Sequence, residues 1–424
     1  MRWGRCAATS DRATNSGGST YSPRATAGRE RGGSYAATTR AWRRRDTPGR
    51  LGFDARTWNN RRGQGRFTRN LLRRLADPPG AEEYVAFIDQ SVEEAALPAG
   101  VRACVVPVRP HRLRRSVADL ARPRRAVRAL DLDVFVFPSL VTWFPVRRVP
   151  TVVGVYDLIA DRLPEMHLPN RTAHAMWRLK ERLAVRSARR LFTISEASRR
   201  ELADRFGLDP AGLPVVLGAP DPAFYPRGAA EVEACLEPLG LRHDGYIAYS
   251  GGINPRKNVE TLLDAYAALR ADGGAPSLVL VGELKQRPYV DELRRRIARL
   301  GLENAVVLPG FVGDDALACL YSGAAAFVNA SIAEGFGMPA VEAAACAAPV
   351  VLSDLPAHRE TLGDAGRFFP PTAVGELADL LRTLLSDAHA RRTLGEAARR
   401  SVARLSWDRA AARLRRVIAD ATSA

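Results

Sequence analysis

Lysine is almost missing from this chain. Lys180, Lys257 and Lys285 are the only lysines among 63 basic residues, so the positive charge is nearly all arginine. That skew reflects genome composition as much as function, and it weakens any inference from the net charge of +17 to nucleic acid. Cysteine is scarce as well. The five cysteines are scattered, with no CxxC or Cys/His pair at zinc-ligand spacing. This excludes a structural metal finger and fits reduced thiols in a cytosolic protein. Long apolar runs are absent too: a spanning helix needs about 20 such residues, and the nearest stretch, 134–146, is broken by Pro138 and Pro145.

What remains is the composition of a globular protein. The 424 residues are 46% hydrophobic and 26% charged, enough for two or three domains, each with its own core. The charge is uneven. Residues 1–50 carry eleven arginines against Asp11, Glu30 and Asp46, lack apolar periodicity, and read as a disordered arginine-rich segment. The body of the chain is only moderately basic.

From residue 51 the pattern alternates. A short apolar strand at 51–54 leads into a polar loop with Gly63-Gln64-Gly65, then an amphipathic helix at 67–75. Strands follow near 84–88, 103–108, 134–137, 151–156 and 191–194, with helices at 172–190 and 197–206. Residues 218–243, with Pro220, Pro222 and Pro226, read as a linker or hinge. A second alternation then runs from a strand at 246–250 to helices at 374–386, 388–404 and 406–420. The expected fold is α/β: two doubly wound, Rossmann-like domains over residues 51–217 and 244–404, facing a central cleft. Residues 405–424 form a last helix expected to pack back on the first domain. Ligands in such sheets bind beyond the carboxyl ends of the strands.

Two loops carry the chemistry. Glu334-Gly335-Phe336-Gly337-Met338-Pro339-Ala340-Val341-Glu342 follows a strand, with Pro339 in the first turn of the next helix. Glycines there let backbone amides approach an anion or a hydroxyl, while Glu334 and Glu342 address separate parts of one ligand. Read singly, each acid is a helix cap or a solvated charge; the whole nonamer favours a site. In the second loop, Gly251-Gly252-Ile253-Asn254-Pro255-Arg256-Lys257-Asn258, a glycine turn and two adjacent cations open a helix and suit a diphosphate. Its spacing is not that of a P-loop.

These two loops, with Leu405-Ser406-Trp407, resemble retaining glycosyltransferases of family 4, which have the two-domain GT-B fold. The resemblance extends to Val281-Gly282, Pro309-Gly310-Phe311, Ser353-Asp354-Leu355-Pro356 and Gly363-Asp364-Ala365-Gly366. In the first half it takes in Gly63-Gln64-Gly65-Arg66, Tyr156-Asp157-Leu158-Ile159 and Thr193-Ile194-Ser195-Glu196.

The resemblance implies transfer of a hexose, mannose as first guess, from a GDP-, UDP- or dTDP-sugar to a saccharide or lipid-linked acceptor. Arg256 and Lys257 would hold the diphosphate. Glu334 would meet the donor sugar beside the backbone of Phe336 and Gly337, and Glu342 the ribose. Phe311 and Val312 would meet the base, while Gly63 and Gly65, like Gly251 and Gly252, would let backbone approach the phosphates. Neither cofactor nor metal is implied, and no Asp-x-Asp stands at the carboxyl end of a strand. One departure concerns Tyr156-Asp157: many members have histidine where this chain has Tyr156. His167 reads as a surface histidine before an acceptor-site residue.

The arginine-rich run 109–128 suits equally a solvated surface or contact with an anionic membrane. The implied location is cytoplasmic, with peripheral contact at the inner face of the plasma membrane. Aromatics are not interleaved with these arginines, so specific nucleic-acid binding is not expected. Rival readings are a nucleotide-sugar epimerase or phosphorylase on the same fold, and a basic polyanion-binding protein.

Overall fold

The computed structural model describes residues 49–61, 63–77, 82–106, 117–271, 273 and 275–423. The arginine-rich opening expected over 1–50 lies outside them except for its last two positions, as do residues 109–116 of the arginine-rich run 109–128.

The first sheet contains β1 (Arg50–Asp54), β2 (Glu83–Ile88), β3 (Arg102–Val105), β4 (Val134–Phe137), β5 (Thr151–Gly154) and β6 (Arg190–Phe192). Its spatial order is β3-β2-β1-β4-β5-β6. The second contains β7 (Tyr246–Ser250), β8 (Ser277–Val281), β9 (Val306–Gly310), β10 (Ala326–Asn329), β11 (Val350–Ser353) and β12 (Arg367–Phe369), in the order β12-β11-β10-β7-β8-β9. Counted from its own first strand, the second sheet repeats the order of the first. Neighbouring strands are parallel. Helices cover both faces, which is why central strands such as Val134–Phe137 and Tyr246–Ser250 are buried along their whole length instead of alternating.

Both sheets are α/β and doubly wound, as the alternation implied. Three local expectations change. The first helix is Gly63–Leu75, so Gly63 and Gly65 belong to its opening turns and not to the loop before it. A Cβ on Gly65 would lie 1.8 Å from the Asn60 carbonyl oxygen, so only glycine fits where the loop crosses the helix. The stretch 218–243 is partly helical, through Ala229–Leu236, whose Val232 and Leu236 are buried. The short edge strand β12 has no counterpart in the sequence reading.

Several contacts join the two halves. A buried cluster runs from Leu51 and Phe53 through Phe67, Trp407, Phe224 and Tyr321 to Phe327 and Val341. The last helix, Trp407–Thr422, packs against Gly63–Leu75 and strands β4–β6. Trp407 meets Phe67 edge-on at 5.6 Å and donates its indole N–H to the Pro220 carbonyl at 3.0 Å. Glu360, on helix Pro356–Leu362, accepts from the amides of Glu196 (2.8 and 2.9 Å) and Ala197 (3.3 Å) at the start of helix Glu196–Phe206. A carboxylate from one half thereby caps a helix of the other.

Candidate functional site

In each sheet the winding reverses between the first and fourth strands, and the crevice beyond their carboxyl ends is where such folds place ligands. β7 and β10 are those strands in the second sheet, paired Ala326↔Ile247 and Phe327↔Ala248. The loop after β7 ends in Pro255–Lys257, a single 3-10 turn; the loop after β10 contains Ser331 to Gly337. Pairing of the strands therefore brings the two sequence motifs together.

The contact is ionic and buried. The Lys257 ammonium bonds Oε1 of Glu334, and Arg256 Nη1 lies 3.1 Å from Oε2. Ser331 Oγ donates to Oε1 at 2.8 Å, and Arg256 Nη1 donates to the Ala333 carbonyl at 2.6 Å. The Arg256 carbonyl accepts from the Ile332 amide at 2.9 Å, tying the loops through their backbones as well. Burial alone would raise the Glu334 carboxyl; Lys257 and Arg256, with His358 nearby, outweigh it and hold the group well below the usual carboxylate range. Glu334 is an anion at neutral pH, fixed between two cations. Gly251 and Gly252 form the floor of the same loop, with the Gly252 carbonyl accepting from the Tyr249 hydroxyl at 3.0 Å.

Beneath this cluster lies His358, which the sequence reading did not single out. It is fully buried, and Nδ1 lies 2.8 Å from the Ser353 carbonyl, so that nitrogen carries the hydrogen. Nε2 has no partner among the described residues. Burial lowers its pKa, only partly opposed by Glu334. Gly337, at φ +86°, passes over the ring: a Cβ there would lie 2.8 Å from Cδ2 and 3.1 Å from Nε2. Phe336 is buried beside it.

Glu342, one turn into helix Met338–Ala345, is also buried, at 3% exposure. Its nearest cation belongs to the other half: Arg66 Nε lies 3.2 Å from Oε1, without the alignment of a hydrogen bond. Burial pushes the Glu342 carboxyl up to about 7, against the pull of Arg66. Arg66 also grips Asp314 through both terminal nitrogens, at 3.1 and 2.5 Å. Just before Asp314, Val312 is buried, whereas the Phe311 ring is 41% exposed and lies under the Arg61 guanidinium at 4.5 Å.

Across the crevice, Tyr156 and Asp157 follow β5. A Cβ on Gly335 would lie 2.8 Å from Asp157 Oδ2 and 3.3 Å from the Tyr156 carbonyl, so the first half touches the Glu334 loop. Asp157 also accepts from the Ile159 amide at 3.1 Å; burial raises its pKa, with Arg256 opposing. The Tyr156 ring packs edge-on against Phe67 at 5.0 Å, and its hydroxyl is buried without a partner among the described residues. His167 is exposed, with Nδ1 3.2 Å from the Leu163 carbonyl. Gly63 meets Met338, where a Cβ would lie 3.4 Å from Cγ. The geometry thus gathers Arg256, Lys257, Glu334, Gly337 and Asp157 at one end of the crevice, and Glu342, Phe311 and Val312 with Arg66 at the other.

Known proteins share this plan. Residues 61–222 match the family model "Glycosyltransferase Family 4", and residues 238–401 match "Glycosyl transferases group 1". The chain is 30% identical over 346 residues to O-antigen chain mannosyltransferase B of Escherichia coli, covering 77% of this chain and 88% of that protein. The chain belongs to glycosyltransferase family 4.

A second relative, D-inositol 3-phosphate glycosyltransferase of Salinispora arenicola, is 31% identical over 301 residues, 67% of each protein. Among solved structures, Anabaena HepE in complex with UDP and glucose aligns with TM-score 0.69 and 20% identity, over 86% of this chain and 98% of that one. WaaG, a glycosyltransferase involved in lipopolysaccharide biosynthesis, aligns with TM-score 0.71 and 17% identity, over 87% and 99%. The two six-stranded sheets are those of a GT-B enzyme, and the protein is a hexosyltransferase.

Proposed function

We propose that this transferase moves mannose from a nucleotide-diphosphate sugar, GDP-mannose first among the candidates, to a saccharide or lipid-linked acceptor, with retention at the anomeric carbon and without a metal ion. The observation that carries the reading is the buried cluster of Arg256, Lys257 and Glu334 at the switch point of the second sheet. In the reaction the bond between the anomeric carbon and the diphosphate oxygen breaks, and the acceptor oxygen bonds to the same face of that carbon. The acceptor's proton passes to the departing diphosphate. Arg256 and Lys257 stabilise the negative charge that grows on the leaving group. Glu334 accepts donor-sugar hydroxyls, Glu342 the ribose hydroxyls, and Asp157 faces the sugar from the acceptor side.

The name of the O-antigen mannosyltransferase relative supports mannose, and the UDP complex of HepE supports a nucleoside diphosphate. The metal-free reading is supported by two cations standing where the diphosphate charge would lie. Among the described residues no three His, Cys, Asp or Glu side chains gather as metal ligands. In the same reading residues 51–217 serve the acceptor and 244–404 the donor, with 405–424 returning to the first half. The test is incubation with GDP-mannose, UDP-glucose and dTDP-glucose and an oligomannoside acceptor, with proton NMR of the product. An α-linked mannoside made from GDP-mannose fits; a β-linked product contradicts retention, and product from another donor alone contradicts the choice of mannose.

Peripheral contact with an anionic membrane belongs to this proposal. It is supported by helix Arg171–Ser187, whose Met176, Leu179 and Leu183 are exposed on one face beside the exposed Arg182 and Arg186. Among the described residues no helix is long and apolar enough to cross a membrane. Liposome co-sedimentation with anionic against zwitterionic vesicles tests it; equal recovery with both contradicts it.

A further inference from the structure

The nucleoside end of the crevice contains a residue to which the motif Gly63-Gln64-Gly65-Arg66 gives no role of its own. Arg66 sits near the start of helix Gly63–Leu75 in the first half, yet its guanidinium is spent on the second. It forks onto Asp314, approaches Glu342 to 3.2 Å, and lies over the Phe224 ring at 4.9 Å, all at 7% exposure. Asp314 opens helix Asp314–Ser322 directly after the Phe311-Val312 segment, and Glu342 lies on helix Met338–Ala345. One side chain is therefore anchored to both elements expected to meet the base and the ribose.

We propose that Arg66 is a positioning residue for the donor's nucleoside: it holds the Glu342 carboxylate for the ribose hydroxyls and, through Asp314, fixes the segment that meets the base. The proposal rests on the reading of Glu342 as the ribose acceptor. A simple structural ion pair between Arg66 and Asp314 would not need Glu342. Here a buried carboxylate stands beside the guanidinium with Oε1 lacking a hydrogen bond among the described residues, the condition of an acceptor awaiting a donor. The groups facing Glu342 are Arg66 on the first helix, Asp314 and Tyr321 on the helix Asp314–Ser322, Asp221 on the segment after β6, and Cys346 at the end of its own helix. Arg66 is the cation in that set; the two aspartates push the carboxyl toward its neutral form. Removing Arg66 leaves Glu342 protonated over a wider pH range and less able to accept from two hydroxyls. Because Arg66 comes from the acceptor-side half, the nucleoside site is incomplete unless the halves stand together.

The experiment is calorimetric titration of GDP, UDP and dTDP into the wild-type enzyme, Arg66→Gln, Arg66→Lys and Glu342→Gln between pH 5.5 and 9. Whichever nucleotide binds the wild type serves as the probe. The diphosphate's own titration is common to all variants and cancels. Arg66→Gln is expected to weaken binding about tenfold near pH 7, with the weak-binding limb displaced to higher pH. Arg66→Lys should recover most of the pH profile, and Glu342→Gln should abolish the limb. Affinity in Arg66→Gln within twofold of wild type at every pH, while Glu342→Gln binds weakly, overturns the role of Arg66 alone. Unchanged affinity in Glu342→Gln overturns the ribose reading beneath it. Should Arg66→Gln not fold, Asp314→Asn replaces it: the proposal expects at least threefold weaker binding, and unchanged binding overturns it.

Discussion

Replacing Lys257 by methionine perturbs the cluster most cleanly, because the ammonium is buried at 6% exposure and bonded to a carboxylate that is itself only 9% exposed. Removing one partner of a buried pair costs about 3–5 kcal/mol, since the other charge is left without compensation. Glu334 keeps Ser331 at 2.8 Å and Arg256 at 3.1 Å, which places the cost at the lower end, about 3 kcal/mol. In a cooperative unit of 150–250 residues each kcal/mol moves the melting temperature by about 2–4 °C, so a fall of about 6–12 °C is expected. The double variant Lys257→Met/Glu334→Gln removes both charges of that pair, leaves Arg256 with the Ala333 carbonyl and the nearby Asp157, and should regain part of that loss. Turnover behaves differently. The departing diphosphate loses one of two cations in single and double variant alike, a loss of about 10²–10³-fold in kcat. Melting curves and initial rates at saturating donor give both readings. Turnover restored in the double variant would refute the reasoning, because it would make Lys257 a structural counter-ion and nothing more.

The two glutamates give opposite pH dependences of stability. Glu334 is depressed below its ordinary 4.5, so its contribution is complete above that value and drains away as pH falls; Glu334→Gln should flatten the acid side of the stability curve. Glu342 is raised to about 7, so the folded state loses stability as pH climbs from about 4.5 to about 7, by up to roughly 3 kcal/mol. Glu342→Gln should therefore melt higher than wild type at pH 8 and nearly level with it at pH 5. Gly337→Ala forces a Cβ against His358 at a φ of +86°; a cost of about 1–3 kcal/mol from the backbone alone is expected, with donor binding lost. Trp407→Ala removes the indole that meets Phe67 and Pro220, and should cost about 3–5 kcal/mol by denaturant titration.

Much of the second sheet's chemistry was legible because it is local. Glycines, Pro339 and Pro255 mark where strands end and helices begin, and the residues that act stand within a few positions of those marks. The pairing of β7 with β10, which brings Lys257 to Glu334, follows from the doubly wound order that the alternation implied. Contacts made across the fold were not legible. Arg66 and Asp314 are 248 residues apart, and nothing near either predicts the other. His358 lies two residues past a quoted motif, but only the passage of Gly337 over its ring gives it a place in the site. Glycine disfavours helix interiors, and the sequence alone places Gly63 and Gly65 in a polar loop. The close crossing of Asn60 over Gly65 overrides that preference.

The measurement that tests the central claim most directly is a calorimetric titration of GDP into the wild-type enzyme and into Arg256→Met. Saturable binding of one nucleotide by the wild type, weakened at least tenfold in the variant, is what a diphosphate seated on the Arg256–Lys257–Glu334 cluster requires. Equal binding by both proteins would place the diphosphate elsewhere and contradict the account.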